Sequence, residues 1–390
     1  MKKLGFALVF AALPMATLGG AWASDDSRLQ FRNVTRTLEK VQDATASGDP
    51  SAVDIQSKLM IQMETDLKLA KLPDLQDERN LRAMAVYLFS GGNPNVAEGR
   101  LNQLAVDPES KELLDGALAY ARGDKANAVK LLKHVDLATL PTNLAGRVAL
   151  VKAILISAED IKTALALLAT ARANMPGTLV EEAALRRCIS FTGKLSDIRQ
   201  LERCASAYIR RFPKSIYWKD FEDSLTLSLI EVDYLKNGGT VPTLENVLKD
   251  LPTFNYRKML LMIAKAAVGH GRYSLAATCA EKAFELSRAD SAEMARANLY
   301  TGAVMIVQTD HEAGRKKLEQ IDKSLLDPSD RLLLEQASDL ARQISRKPDI
   351  TVEQAMKSQV PSDVKNSQLS DYEKLLTRAK TALADPKPAN

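Results

Sequence analysis

Apolar residues recur along this chain with a period near 3.6, broken by short polar or glycine-rich stretches. The clearest case covers residues 256–288. A run of helix formers there ends at Gly269-His270-Gly271. A second run starts at Tyr273 and places Ala276, Ala280, Ala283 and Leu286 on one face. Two such runs across a glycine turn predict an antiparallel helical hairpin, whose small residues let the helices approach closely. The same signal, a turn followed by a small or apolar residue, recurs at Ala97, Ala128, Ala164, Ile198, Leu244, Ala276 and Ala313. Neighbours in that series lie 31, 36, 34, 46, 32 and 37 residues apart. Helical-hairpin arrays repeat at about 34–40 residues, so the 46 marks a unit with an insertion. Strand-like alternation is nearly absent. The pattern predicts an all-α chain built as a solenoid of stacked hairpins.

The second run of that hairpin resembles the second helix of a tetratricopeptide repeat (TPR). Tyr273, Ala276, Lys282, Ala283, Glu285 and Leu286 stand where that motif places Tyr, Ala, Lys, Ala, Glu and Leu. The resemblance implies a right-handed, TPR-like superhelix. Its expected extent is 79–346, after an N-terminal helical segment over 24–78. Ser47-Gly48-Asp49-Pro50 separates two helices in that segment, and Ser51 or Asp49 is placed to cap the second. Thr178 with Glu181 has the spacing of a capping box, and Glu182 with Arg186 that of a helical ion pair. From Lys347 the pattern weakens. Residues 347–390 read as a flexible tail with one candidate helix at 370–383.

The first 23 residues are a different kind of sequence. Lys2 and Lys3 precede an apolar run, and Ala21-Trp22-Ala23 forms a cleavage site before Ser24. This is the pattern of a secretory signal peptide. An uncleaved anchor is the alternative, but the apolar run is short for a span of about 20 residues. The expectation is an exported, periplasmic chain that starts at Ser24, with no stable membrane insertion after cleavage. Its 53 basic and 49 acidic residues give +4, and loss of Lys2 and Lys3 leaves +2. That balance excludes a general nucleic-acid binder. Export permits disulfides. However, with a turn placed near Gly193-Lys194, Cys188 and Cys204 fall out of step by about 6 Å at 1.5 Å per residue. Together with Cys279 they are therefore expected as buried free thiols.

One stretch concentrates residue types that anchor interfaces: Arg186, Arg187, Tyr208, Arg210, Arg211, Tyr217 and Trp218. Aromatics make up only 5% of the chain, so their clustering stands out. One reading is a partner-binding patch suited to an acidic surface. The other is a set of bulky wedges between repeats with solvated arginines.

Signatures of catalysis are missing. His134, His270 and His311 have no neighbour at metal-ligand spacing, and no C-x-x-C, H-E-x-x-H or G-x-S-x-G occurs. Exported lytic transglycosylases also carry helical superstructures, but nothing here looks like their lysozyme-like domain. The expectation is a non-enzymatic protein without cofactor or metal.

Further features resemble the MotC family of exported motility proteins. They are Ser90-Gly91-Gly92-Asn93-Pro94, Pro176-Gly177-Thr178 running into Val180 to Arg187, and Tyr208 with Arg210-Arg211-Phe212. Ile263-Ala264 and Ala297-Asn298-Leu299-Tyr300 echo it further. The resemblance reaches to about Ser345. It implies a periplasmic protein required for flagellar rotation, working with the periplasmic part of the stator protein MotB. A general TPR-like scaffold or chaperone of envelope assembly is the alternative. A cell-wall enzyme comes third.

Overall fold

Polar caps set the frame of this fold, because they fix where each helix starts and so which side chains face inward. The computed structural model describes residues 26–308 and 310–345, with side chains from Phe31 onward, and contains only helices and turns there. The signal sequence expected at 1–23, with Ala21, Ala23 and Ser24, lies outside the described residues, as does the tail at 347–390. Helices α1 (Asp26–Ser47) and α2 (Ala52–Leu69) pair first, followed by the short α3 (Leu72–Leu75). Hairpins follow: α4 (Glu78–Phe89) with α5 (Pro94–Leu101), α6 (Pro108–Ala121) with α7 (Lys125–Leu132), and α8 (Thr142–Ile156) with α9 (Ile161–Asn174). Next come α10 (Leu179–Leu195) with α11 (Ile198–Arg211), then α12 (Trp218–Glu231) and α13 (Val241–Leu248), then α14 (Thr253–Gly269) with α15 (Tyr273–Glu285). The described chain ends with α16 (Ala292–Gln308), α17 (His311–Glu319) and α18 (Pro328–Ser345). It divides into two compact units, one up to Thr301 and one from Gly302. Each is all-α, and the first is a TPR-like stack. In it α4 packs on α6, α10 on α12, α12 on α14, and α11 on α13.

The second helix of most units opens on the same cap. Side-chain oxygens of Asn93, Asp124, Asp160, Asp197, Thr240 and Asp310 accept from backbone N–H groups two or three residues on. Position four of each helix then faces its partner. Ala97, Ala128, Ala164, Leu201, Leu244, Ala276 and, in the second unit, Gly314 occupy it, and all are buried. Two members of the expected series therefore shift. Ile198 opens α11, so Leu201 is its equivalent. Ala313 is half-buried at position three of α17, and Gly314 meets Gly302 and Ile306 instead. The first shift has a clear cause. Gly193 does not make the turn; α10 runs through it to Leu195, and Ser196 turns the chain with φ of 54°. A Cβ on Gly193 would lie 2.7 Å from Ser228 Oγ, so this glycine serves the close approach of α10 and α12. The long unit carries its extra residues in the 232–240 turn, which Tyr234 anchors by donating to Glu202 at 2.7 Å.

The cysteine expectation is corrected by the same turn. Cys188 and Cys204 each stand eight residues from Ser196, level across the hairpin, and form a disulfide with Cα atoms 6.3 Å apart. Placing the turn at Gly193-Lys194 had created the mismatch. Cys279 is a buried free thiol, and burial pushes its pKa up to about 12.

The capping box at Thr178 is also revised. The Thr178 hydroxyl donates to Met175 O, and Glu181 accepts from Gly177 N at 2.7 Å. The N-terminus of α10 is instead met by Asp43 of α1, which accepts from Leu179 N at 2.9 Å. At α2, Ser51 makes no side-chain cap, while Asp49 accepts from its N–H and hydroxyl. Helix α1 does more than start the chain. Phe31 meets the edge of Tyr87 in α4, Glu39 and Gln42 accept from Asn143 and Arg147 of α8, and Thr45 O accepts from Ile216 N. Residues 26–78 thus pack directly onto the array, with α2 against α5.

Candidate interaction surface

The arginine and aromatic cluster of the sequence gathers where α10, α11 and α12 meet. At its centre is a carboxylate. Glu182 is 0% exposed, and it accepts four hydrogen bonds. Its Oε1 accepts from Tyr208 OH at 2.6 Å, Ser215 Oγ at 3.1 Å and Arg186 Nε at 2.8 Å, and its Oε2 from Arg186 Nη2 at 3.0 Å. Burial and the neighbouring Glu182 charge push the Tyr208 phenol well above its ordinary pKa. Burial opposes the Arg186 charge, but the hydrogen bond and charge of Glu182, with smaller help from Tyr208 and Asp220, together outweigh it and hold the guanidinium above its ordinary value. A buried carboxylate held by donors from three elements joins helices.

Tyr208 is fully buried and stacks on Phe221 with centroids 4.2 Å apart. Trp218 packs on both and donates its indole N–H to Glu222 at 2.9 Å. Glu222 is buried as well, and Lys258 of α14 reaches both its oxygens at 2.8 Å. Two carboxylates, one in α10 and one in α12, therefore latch successive units together. Sequence reasoning found the Glu182–Arg186 spacing but missed Glu222. Its fourth-residue spacing from Trp218 was the available signal.

The remaining members lie further out. Arg186 also covers the Tyr217 ring at 4.7 Å and meets Asp220 at 3.3 Å. Arg211 pairs with the buried Glu181 at 2.7 Å. Arg210 is 57% exposed and reaches Asp250 only at 3.8 Å. Arg187 is exposed, with no ion pair or hydrogen bond from its side chain among the described residues. The structure brings Arg186, Tyr208, Tyr217 and Trp218 together, while no hydrogen bond, ion pair or ring contact joins Arg187, Arg210 or Arg211 to them among the described residues, and Arg187 and Arg210 hold their charge largely in solvent.

Stacked hairpins, latched by buried carboxylates and bearing arginines at the margin, define a helical-repeat scaffold. The particular family follows from sequence comparison. The chain belongs to the family described as Chemotaxis protein MotC, whose profile matches residues 1–388. A chemotaxis protein MotC of Rhizobium meliloti (strain 1021) is 28% identical over 352 residues, covering 89% of this chain and 80% of that relative. Among solved structures, the TPR domain of P58(IPK) aligns with 83% of this chain and 99% of its own, at 14% identity and a TM-score of 0.25. The hairpin array itself rests on the helix pairs described above.

Proposed function

We propose that this chain is a non-enzymatic periplasmic protein required for flagellar motor rotation, and that it binds the periplasmic part of the stator protein MotB. The observation that carries this reading is the match to the MotC family over nearly the whole chain. Two further features support it. The Cys188–Cys204 disulfide suits an oxidising compartment. No described helix is long and apolar enough to cross a membrane.

Among the arginines of that stretch, Arg187 and Arg210 are the groups proposed to meet an acidic partner surface, with the stacked pair Arg186 and Tyr217 as further contacts. Tyr208, Trp218 and Arg211 serve that surface by holding its helices. A deletion strain tests the function. Cells that assemble flagella yet do not swim are expected, with swimming restored by the intact gene. Normal swimming with envelope defects would instead favour a general scaffold of cell-envelope assembly.

A further inference from the structure

We propose that the cavity between α1, α4 and the start of α8 binds a small, multiply charged oxyanion, either a phosphate or a carboxylate compound. The cavity has a volume of about 420 Å³, within the range of small-ligand sites. Four guanidinium groups line it: Arg32 and Arg36 from α1, Arg79 and Arg82 from α4. Glu39, the carboxylate in the lining, is already engaged by Asn143 at 3.0 Å and Arg147 at 3.6 Å. Arg82 pairs with Glu78, which stands outside the lining. Arg32, Arg36 and Arg79 have no carboxylate partner among the described residues. The Nε of Arg32 is buried with no hydrogen-bond partner.

The third wall adds to the same sign. Helix α8 starts here behind Pro141, with no side-chain cap and no acidic residue in its first turn. The positive end of its dipole is therefore left uncompensated beside the arginines. Like charges around one cavity repel and focus a positive potential into it. An occupant with several negative oxygens relieves that repulsion and also supplies acceptors for the Arg32 donor. Guanidinium forks match the paired oxygens of phosphate and carboxylate groups. A cation is excluded by this charge. The buried Ala83, Val86 and Leu144 in the lining leave room for a short carbon skeleton between the charged groups. The cavity shares no residue with the α10–α12 cluster, so its occupancy stands or falls separately from partner binding there.

Isothermal titration of the purified exported protein tests this, using inorganic pyrophosphate and citrate as probes against sodium chloride at matched ionic strength. Saturable binding of at least one probe is expected, and the tighter of the two assigns phosphate or carboxylate chemistry. Arg36→Gln and Arg79→Gln alter exposed side chains. Each should weaken binding by about tenfold or more, the effect of losing a charge-assisted hydrogen bond, while the melt in chloride stays put. Lys236→Gln, far along the chain on the 232–240 turn, should bind as the wild type does. The melting temperature of the wild type should also rise with the bound probe and that of the Arg36→Gln/Arg79→Gln protein should not. Absence of saturable binding of both probes at millimolar concentration overturns the proposal. So does equal affinity in the doubly substituted protein.

Discussion

Replacing Glu182 by glutamine should loosen the junction of α10, α11 and α12. The amide keeps the shape of the side chain but loses the charge and turns two acceptor sites into donors. One end of the group must then face Arg186 or Tyr208 donor to donor. Breaking a buried ion pair from one side costs about 3–5 kcal/mol. Arg186 is 19% exposed and keeps Asp220 at 3.3 Å, so the lower end applies, about 3 kcal/mol. At about 2–4 °C per kcal/mol, the melt should fall by about 6–12 °C. Tyr208→Phe removes one of the donors and should cost about 1–1.5 kcal/mol. In a double-mutant cycle the two losses should couple, because the groups share a hydrogen bond. Circular-dichroism melts of the four proteins supply the data. A Glu182→Gln protein that melts with the wild type, or losses that simply add, would refute the latch.

Three other outcomes follow from the same packing. Reducing the Cys188–Cys204 disulfide should lower stability by about 2–4 kcal/mol, given its short loop; Cys279 should resist alkylation in the native protein and react only on unfolding, and labelling with mass spectrometry reads both. Ala276→Phe should cost about 1–3 kcal/mol by overpacking the α14–α15 hairpin, whereas Ala313→Phe at its half-buried site should cost much less; equal melts for wild type and Ala276→Phe would place Ala276 away from a helix contact. Hydrogen bonds from Asn127 and Thr163 hold Asp124 and Asp160 below the usual carboxylate range. Their contribution is present above the unfolded value of about 3.9 and is lost as pH falls through the lower folded values. Asp124→Asn with Asp160→Asn should therefore melt below the wild type near neutrality and converge with it in acid, which flattens the acid limb of melting temperature against pH.

The hairpin array was legible because its signals are local. Apolar period and turn chemistry lie within a few residues of each other, and Ala97, Ala128, Ala164 and Ala276 are buried where the pattern placed them. The register slipped at Ile198 because a glycine has two uses. Gly193 admits a neighbouring helix rather than turning the chain, and that difference appears only when Ser228 is seen beside it. The cysteine expectation failed with it, since helix pairing levels the two thiols only about the true turn. The arginine cluster was visible as composition, but the division of its members was not. Tyr208 meets Glu182 across 26 residues, and no local period encodes such a pair. The cavity at α1 was less legible still, because Arg32 and Asn143 come from opposite ends of a long stretch of chain.

Binding of the MotB periplasmic part to the purified exported protein tests the central claim most directly. Saturable binding is expected, weakened by Arg187→Ala with Arg210→Ala while the circular-dichroism melt of that protein stays at the wild-type temperature. Failure of the wild-type protein to retain the MotB segment, with its melt intact, would contradict a role as the stator's periplasmic partner.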